Sequence, residues 1–313
     1  MSRNIDQYTE DDFLKAKEKL LFELTLKPGL STHKNPKAYL LGGQPGSGKS
    51  AISVIYDTKH QGDLIIINVD DYRSLHPNFK EINSMYGSEA AFHTNEFAKR
   101  LKYEVIEELS NRKYNLLIEG TLRTTTGPLK LNKLLKTKGY TTELSVIATK
   151  PEISYLGVKL RYEGMLALGK EPRDTPKAFH DSIVENICDN LKEIYETKEM
   201  NTITIYNRDK LCLYDFNTTP HVEPSKILKN EFNRPFTKEE IDSTLLQLKN
   251  LSERIRHNYK NGLLANKLEE FKNYSAEMNQ SISSNKNISD KIRELKNKEK
   301  EINVKHTQIE KLR

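Results

Sequence analysis

Apolar residues along the chain follow two rhythms. Phe13, Ala16, Leu20 and Leu24 recur at helical spacing behind Thr9 and an acidic run, so residues 10–26 read as an amphipathic helix with Thr9 as its N-cap. Lys27-Pro28-Gly29-Leu30-Ser31 ends it. Short continuous apolar runs at 38–41, 64–67 and 114–118 read instead as buried strands, and 143–148 and 202–206 extend the series. Helical patterns at 97–109, 153–168 and 178–195 lie between them. This alternation predicts an α/β fold, a parallel sheet flanked by helices and closed by right-handed crossovers.

After about residue 240 the rhythm changes. Residues 241–313 contain no proline and one glycine, Gly262. Ile288, Leu295, Ile302 and Ile309 are spaced like heptad d positions, with Ile292 at an a position. Glu299 and His306 fill the next a positions, so the seam is a poor coiled coil. The pattern predicts a main domain over 1–245 and a helical C-terminal extension over 246–313.

Composition narrows the function classes. The formal charge is +6, with both signs interspersed, which reads as solvated surface rather than a nucleic-acid tract. No run approaches the roughly 20 apolar residues of a membrane span, and the N-terminus lacks a secretory apolar core. Cys188 and Cys212 are the only cysteines, too few for a disulfide framework or a zinc site, so a cytoplasmic location is expected.

Chemistry concentrates at the ends of the predicted strands. Gly43-Gln44-Pro45-Gly46-Ser47-Gly48-Lys49-Ser50 follows the first strand and precedes a helix. Its glycines let successive N–H groups face phosphate oxygens, Lys49 reaches the β- and γ-phosphates, and the Ser50 hydroxyl suits a magnesium ion. This loop implies ATP or GTP as ligand, at the N-terminus of a helix whose dipole favours anions.

Asp70 and Asp71 end the second strand, at the sheet edge that holds the loop. A carboxylate there can take the proton of an attacking hydroxyl; that role is assigned to Asp70 and a helix-capping role to Asp71. Glu119 ends the third strand at the same edge, where an unpaired acid is poor core filler. Thr121, Arg123 and Thr124 follow in a polar loop suited to binding a phosphate-bearing substrate. Arg161 and Arg173 read as surface charge from position alone, and His93 and His180 as structural residues.

In order, these stretches resemble the zeta toxin family of bacterial toxin–antitoxin kinases. The resemblance rests on Leu40 through Ser50, Asp70 with His76-Pro77-Asn78-Phe79, and Tyr114 through Thr121 with Arg123-Thr124. Tyr155-Leu156-Gly157, Arg161-Tyr162-Glu163, Thr175-Pro176-Lys177, His180-Asp181, Tyr206-Asn207-Arg208 and Glu231-Phe232-Asn233-Arg234 complete it. It implies an ATP-dependent P-loop kinase that phosphorylates the 3′-hydroxyl of the amino sugar of UDP-N-acetylglucosamine and so blocks cell-wall precursor synthesis. By the same resemblance Asp70 is the base, Lys49, Arg161 and Arg173 neutralise the transferred phosphoryl group, and Ser50 holds magnesium. Arg208 joins the ATP site, and Glu119, Thr121 and Arg123 contact the nucleotide sugar. A small helical antitoxin is the implied partner, covering the ATP site. Asp71 and Leu122 depart from the family pattern near the acceptor loop. A kinase of another small molecule is the alternative, and a nucleic-acid-binding ATPase a more distant one.

Overall fold

A computed structural model describes residues 5–172 and 174–284, which divide into two units, Met1–Phe232 and Asn233–Arg313. In the first, β1 (Lys37–Gly42), β2 (Ile65–Ile67), β3 (Leu116–Glu119), β4 (Thr141–Ala148), β5 (Thr202–Asn207) and β6 (Cys212–Asp215) form one sheet. Their order is β2-β3-β1-β4-β5-β6, parallel except for β6. The five anticipated strands are present. β6 is an addition, an antiparallel edge strand of which only Tyr214 is buried, so it carries no continuous apolar run.

Side-chain alternation divides the core between the two sheet faces. Leu40, Ile118 and Val146 pack with Phe13, Leu101 and Ile187, from α1 (Glu10–Thr25), α6 (Asn95–Asn111) and α9 (Lys177–Thr197). Leu41, Leu117 and Ile147 pack on the opposite face with Ile52 and Tyr56 of α2 (Lys49–Lys59). Thr9 caps α1 as expected, in a reciprocal capping box with Asp12.

The region between β2 and the anticipated helix at 97–109 is broken into short pieces. It consists of α3 (Val69–Tyr72), α4 (Phe79–Tyr86) and α5 (Ala90–His93) before the long α6. Pro77 interrupts the backbone hydrogen bonding, and Gly87 ends α4 at φ +50°. Beyond β3 come α7 (Thr126–Thr137), α8 (Pro151–Ala167) and, after β6, α10 (Pro224–Asn233).

The second unit contains α11 (Lys238–Asn258) and a further helix over 261–284. A capping box between Thr237 and Glu240 starts α11, and Glu240 also takes a two-pronged ion pair from Arg234 at 2.6 and 2.8 Å. The extension is therefore helical as far as it is described. The heptad positions Ile288, Leu295, Ile302 and Ile309 lie outside the described residues. Among the described residues no helix is long and apolar enough to cross a membrane.

Candidate active site

Strand β1 lies between β3 and β4, with Leu41 in register with Glu119 on one side and Ser145 on the other. The chain leaves β1 at this level to form the phosphate loop and enters α2 at Lys49. Gly46 and Gly48 adopt φ of +75° and +100°, which L side chains rarely take. Gly46 is also crowded: a Cβ there would lie 2.0 Å from the Ser154 carbonyl oxygen on α8.

Side chains behind the loop fix its shape. Gln44 is fully buried and its Nε2 donates to the Thr149 carbonyl at 2.6 Å, while Thr149 Oγ1 donates to the Ser47 carbonyl at 2.7 Å. Ser154 Oγ lies 2.8 Å from His180 Nε2, and His180 Nδ1 lies 3.0 Å from Asp181. His180 is thus a buried structural residue, as expected, and burial lowers its pKa. In front of the loop, Arg208 donates to the Gly46 carbonyl at 2.9 Å. It is carried there by the turn between β5 and β6, the strand missed in the sequence.

Lys49 folds back onto the loop, donating to the carbonyls of Gly43 at 2.8 Å and Gln44 at 3.1 Å. Burial pushes its pKa down to about 8; Glu119 and Asp70 oppose that shift and Arg161 adds to it. Glu119 is buried and accepts from Ser53 Oγ at 3.0 Å. Burial raises its pKa, against the pull of Lys49 and Ser53. Lys49 and Glu119 therefore share a desolvated pocket edge in which each steadies the charge of the other.

Asp70 lies in the first turn of α3 with its side chain about half exposed, accepting from Arg73 Nε at 3.1 Å. The cap of this helix is not Asp71. Asn68 holds that position, its side chain accepting from the Asp70 N–H at 3.1 Å. The reason is geometric: the helix begins three residues earlier than a cap at Asp71 requires, which places Asp71 within its first turn.

Arg161 on α8 reaches Thr175 Oγ1 at 3.3 Å and is close enough to act on the charge of Lys49. Arg173 lies outside the described residues. Thr121 is half-buried, whereas Arg123 is exposed and stacks its guanidinium over Phe179 at 5.2 Å. Leu122 between them is buried at φ +56°, against Gly42, and Asn190 donates to its carbonyl at 3.0 Å. Leu122, a departure from the family pattern, thus anchors the loop after β3.

Ser50 is exposed at the second position of α2, and its hydroxyl makes no hydrogen bond among the described residues. Among the described residues no group of three His, Cys, Asp or Glu side chains could hold a metal. A serine hydroxyl at the mouth of a phosphate loop fits a magnesium ion whose remaining ligands are phosphate oxygens and water.

Sequence reasoning missed Lys102. It projects from α6 to the end of β3, its Nζ 3.4 Å from the Glu119 carbonyl oxygen, and burial lowers its pKa while Asp70 raises it. A signal was present: Lys102 interrupts the apolar stripe formed by Ala98, Leu101, Val105, Ile106 and Leu109.

Comparison with known proteins agrees with this architecture. The family model for the zeta toxin matches residues 23–219. Toxin PezT of Streptococcus pneumoniae serotype 4 is 43% identical over 218 residues, covering 69% of this chain and 85% of the relative. Toxin zeta of Streptococcus pyogenes is 38% identical over 245 residues, covering 77% and 84%. A solved structure from the PezAT toxin–antitoxin system of Streptococcus pneumoniae superposes with a TM-score of 0.73 at 38% identity, spanning 80% of this chain and 99% of that one. The AvrRxo1-ORF1:-ORF2 complex shares the fold alone, with a TM-score of 0.51 at 14% identity. The chain belongs to the zeta toxin family.

Proposed function

We propose that this chain is the toxin of a bacterial toxin–antitoxin system and acts as an ATP-dependent kinase on the amino sugar of UDP-N-acetylglucosamine. The observation that carries the reading is one sheet edge bearing the phosphate loop, Lys49, Asp70 and Glu119, with Arg161 in electrostatic reach.

Loop N–H groups and the α2 N-terminus receive the ATP phosphates. Lys49 exchanges its contacts with Gly43 and Gln44 for the β- and γ-phosphates, and Arg161 and Arg173 neutralise the oxygens of the transferred group. Arg208, lying across the loop at Gly46, closes the nucleotide side. Ser50 would hold a magnesium ion, which would supply charge neutralisation for the phosphates. Asp70 accepts the proton of the sugar 3′-hydroxyl as its oxygen bonds to the γ-phosphorus; the bond to the β–γ bridging oxygen breaks and ADP departs. Glu119, Thr121 and Arg123 orient the nucleotide sugar.

A small helical antitoxin covering the nucleotide site would hold the enzyme silent. The PezAT structure comes from a toxin–antitoxin system, which supports a partner of this kind. The test is incubation with magnesium, ATP and UDP-N-acetylglucosamine, followed by mass spectrometry of the nucleotide sugar. Addition of one phosphoryl group by the wild type and not by Asp70→Asn is expected. Absence of ATP turnover with this acceptor sinks the substrate assignment.

A further inference from the structure

Glu119 stands between two lysines that approach from opposite faces of the sheet. Its carboxylate turns to Ser53 on α2 and interacts with Lys49, whereas its carbonyl faces Lys102 on α6. Helix α2 packs on one sheet face and α6 on the other. The ATP phosphates are already provided for from the α2 side, by the loop, Lys49 and Arg208. Lys102 comes from the remaining side, next to Asp70.

The bonding of Lys102 is incomplete. An ammonium has three N–H donors, and among the described residues this one makes a single long hydrogen bond, at 3.4 Å, and no ion pair. Its neighbourhood resists the charge, since burial lowers its pKa with only Asp70 as a counterweight. A cation held on an apolar stripe with so little compensation reduces stability, and such groups gather where a ligand completes them.

We propose that Lys102 is an acceptor-binding residue whose ammonium engages the anionic diphosphate of a nucleotide-sugar acceptor, beside the base Asp70. This rests on the nucleotide-sugar kinase reading above. It adds a cation dedicated to the acceptor, and so a reason to prefer a phosphorylated sugar over a neutral one.

The test compares wild type, Lys102→Met and Lys102→Arg with UDP-N-acetylglucosamine and with an uncharged methyl glycoside of the same sugar. Lys102→Met should raise KM for the nucleotide sugar about tenfold or more, leave KM for ATP unchanged and spare the neutral glycoside. Lys102→Arg should recover part of the loss. Calorimetric titration of UDP-N-acetylglucosamine into Asp70→Asn, with and without Lys102→Met, should show the same loss in affinity without turnover. The melting temperature of Lys102→Met should equal or exceed that of wild type, which separates lost binding from unfolding. An unchanged KM and affinity, or an equal loss with ATP or the neutral glycoside, overturns the role of Lys102 while wild-type turnover stands. No wild-type turnover of the nucleotide sugar overturns the kinase reading, and the Lys102 proposal with it.

Discussion

The parts of this site proposed to take the nucleotide and the acceptor are built by different means. The nucleotide side is one continuous segment, Gly43 to Ser50, whose shape is set by backbone: left-handed glycines, the Ser47 and Gly46 carbonyls held by Thr149 and Arg208, the Gln44 side chain tied to the Thr149 carbonyl, and contact of Gly46 with α8. The acceptor side draws Asp70, Lys102, Glu119 and Arg123 from α3, α6, β3 and the loop after it. A backbone-built site tolerates little change at its glycines and makes anion binding generic. A site built from scattered side chains can be retuned one residue at a time, which suits it to choosing the acceptor.

The largest effect should come from the acceptor side. Asp70→Asn removes a half-exposed carboxylate whose hydrogen bond goes to Arg73, so the fold should persist. Phosphoryl transfer should fall by about 10²–10⁴ in kcat while ATP still binds. Single-turnover kinetics checks the first outcome and nucleotide titration the second. A variant retaining near-wild-type kcat would remove Asp70 from the chemistry.

Gly46→Ala probes the other construction. Its Cβ would overlap the Ser154 carbonyl in a conformation that alanine disfavours, so a loss of about 1–3 kcal/mol in stability is expected, together with lost nucleotide affinity. Chemical denaturation measures the stability change. If both stability and affinity were untouched, the close approach to α8 would not be what shapes the loop.

Arg208→Met should be milder. It removes a donor to the Gly46 carbonyl and a cation beside the loop, weakening ATP binding about tenfold with little change in acceptor KM. An equal weakening for ATP and acceptor would show that the two sides are coupled rather than separately built.

The same contrast explains what could be read from sequence. Contiguity made the phosphate loop visible, and the apolar runs before the acids located Glu119 at the end of β3 and Asp70 close to the end of β2, though Asp70 lies in the first turn of α3 rather than in the strand. Topology then placed Glu119 level with Leu41 and the loop, which spacing alone supports only in outline. Three features escaped because they depend on the folded backbone. Asn68 displaced Asp71 as the cap because helix α3 starts earlier than the acid pair implies. The turn delivering Arg208 depends on β6, an edge strand in which only Tyr214 is buried, so it lacks the continuous apolar run that marked β2 and β3. Lys102 breaks the apolar stripe of its helix, which is legible, but that it reaches Glu119 is set only once Leu101 and Val105 pack.

The smallest predicted effect tests how the two sides share Glu119. Burial raises its pKa above the ordinary 4.5 even with Lys49 and Ser53 pulling the other way. The native protein therefore holds that proton more tightly than the unfolded chain does. The resulting stabilisation is complete below a pH of about 4.5 and is lost as pH rises through the folded value. Glu119→Gln is neutral throughout and escapes that loss, so its melting temperature should gain on wild type as pH rises above the ordinary carboxyl value of 4.5. The comparison belongs to the protein without nucleotide, because bound phosphates change the charge facing Lys49. Melting curves that stay parallel across this range would mean that the attraction of Lys49 fully offsets the burial of Glu119. The acid would then belong as much to the phosphate loop as to the acceptor side.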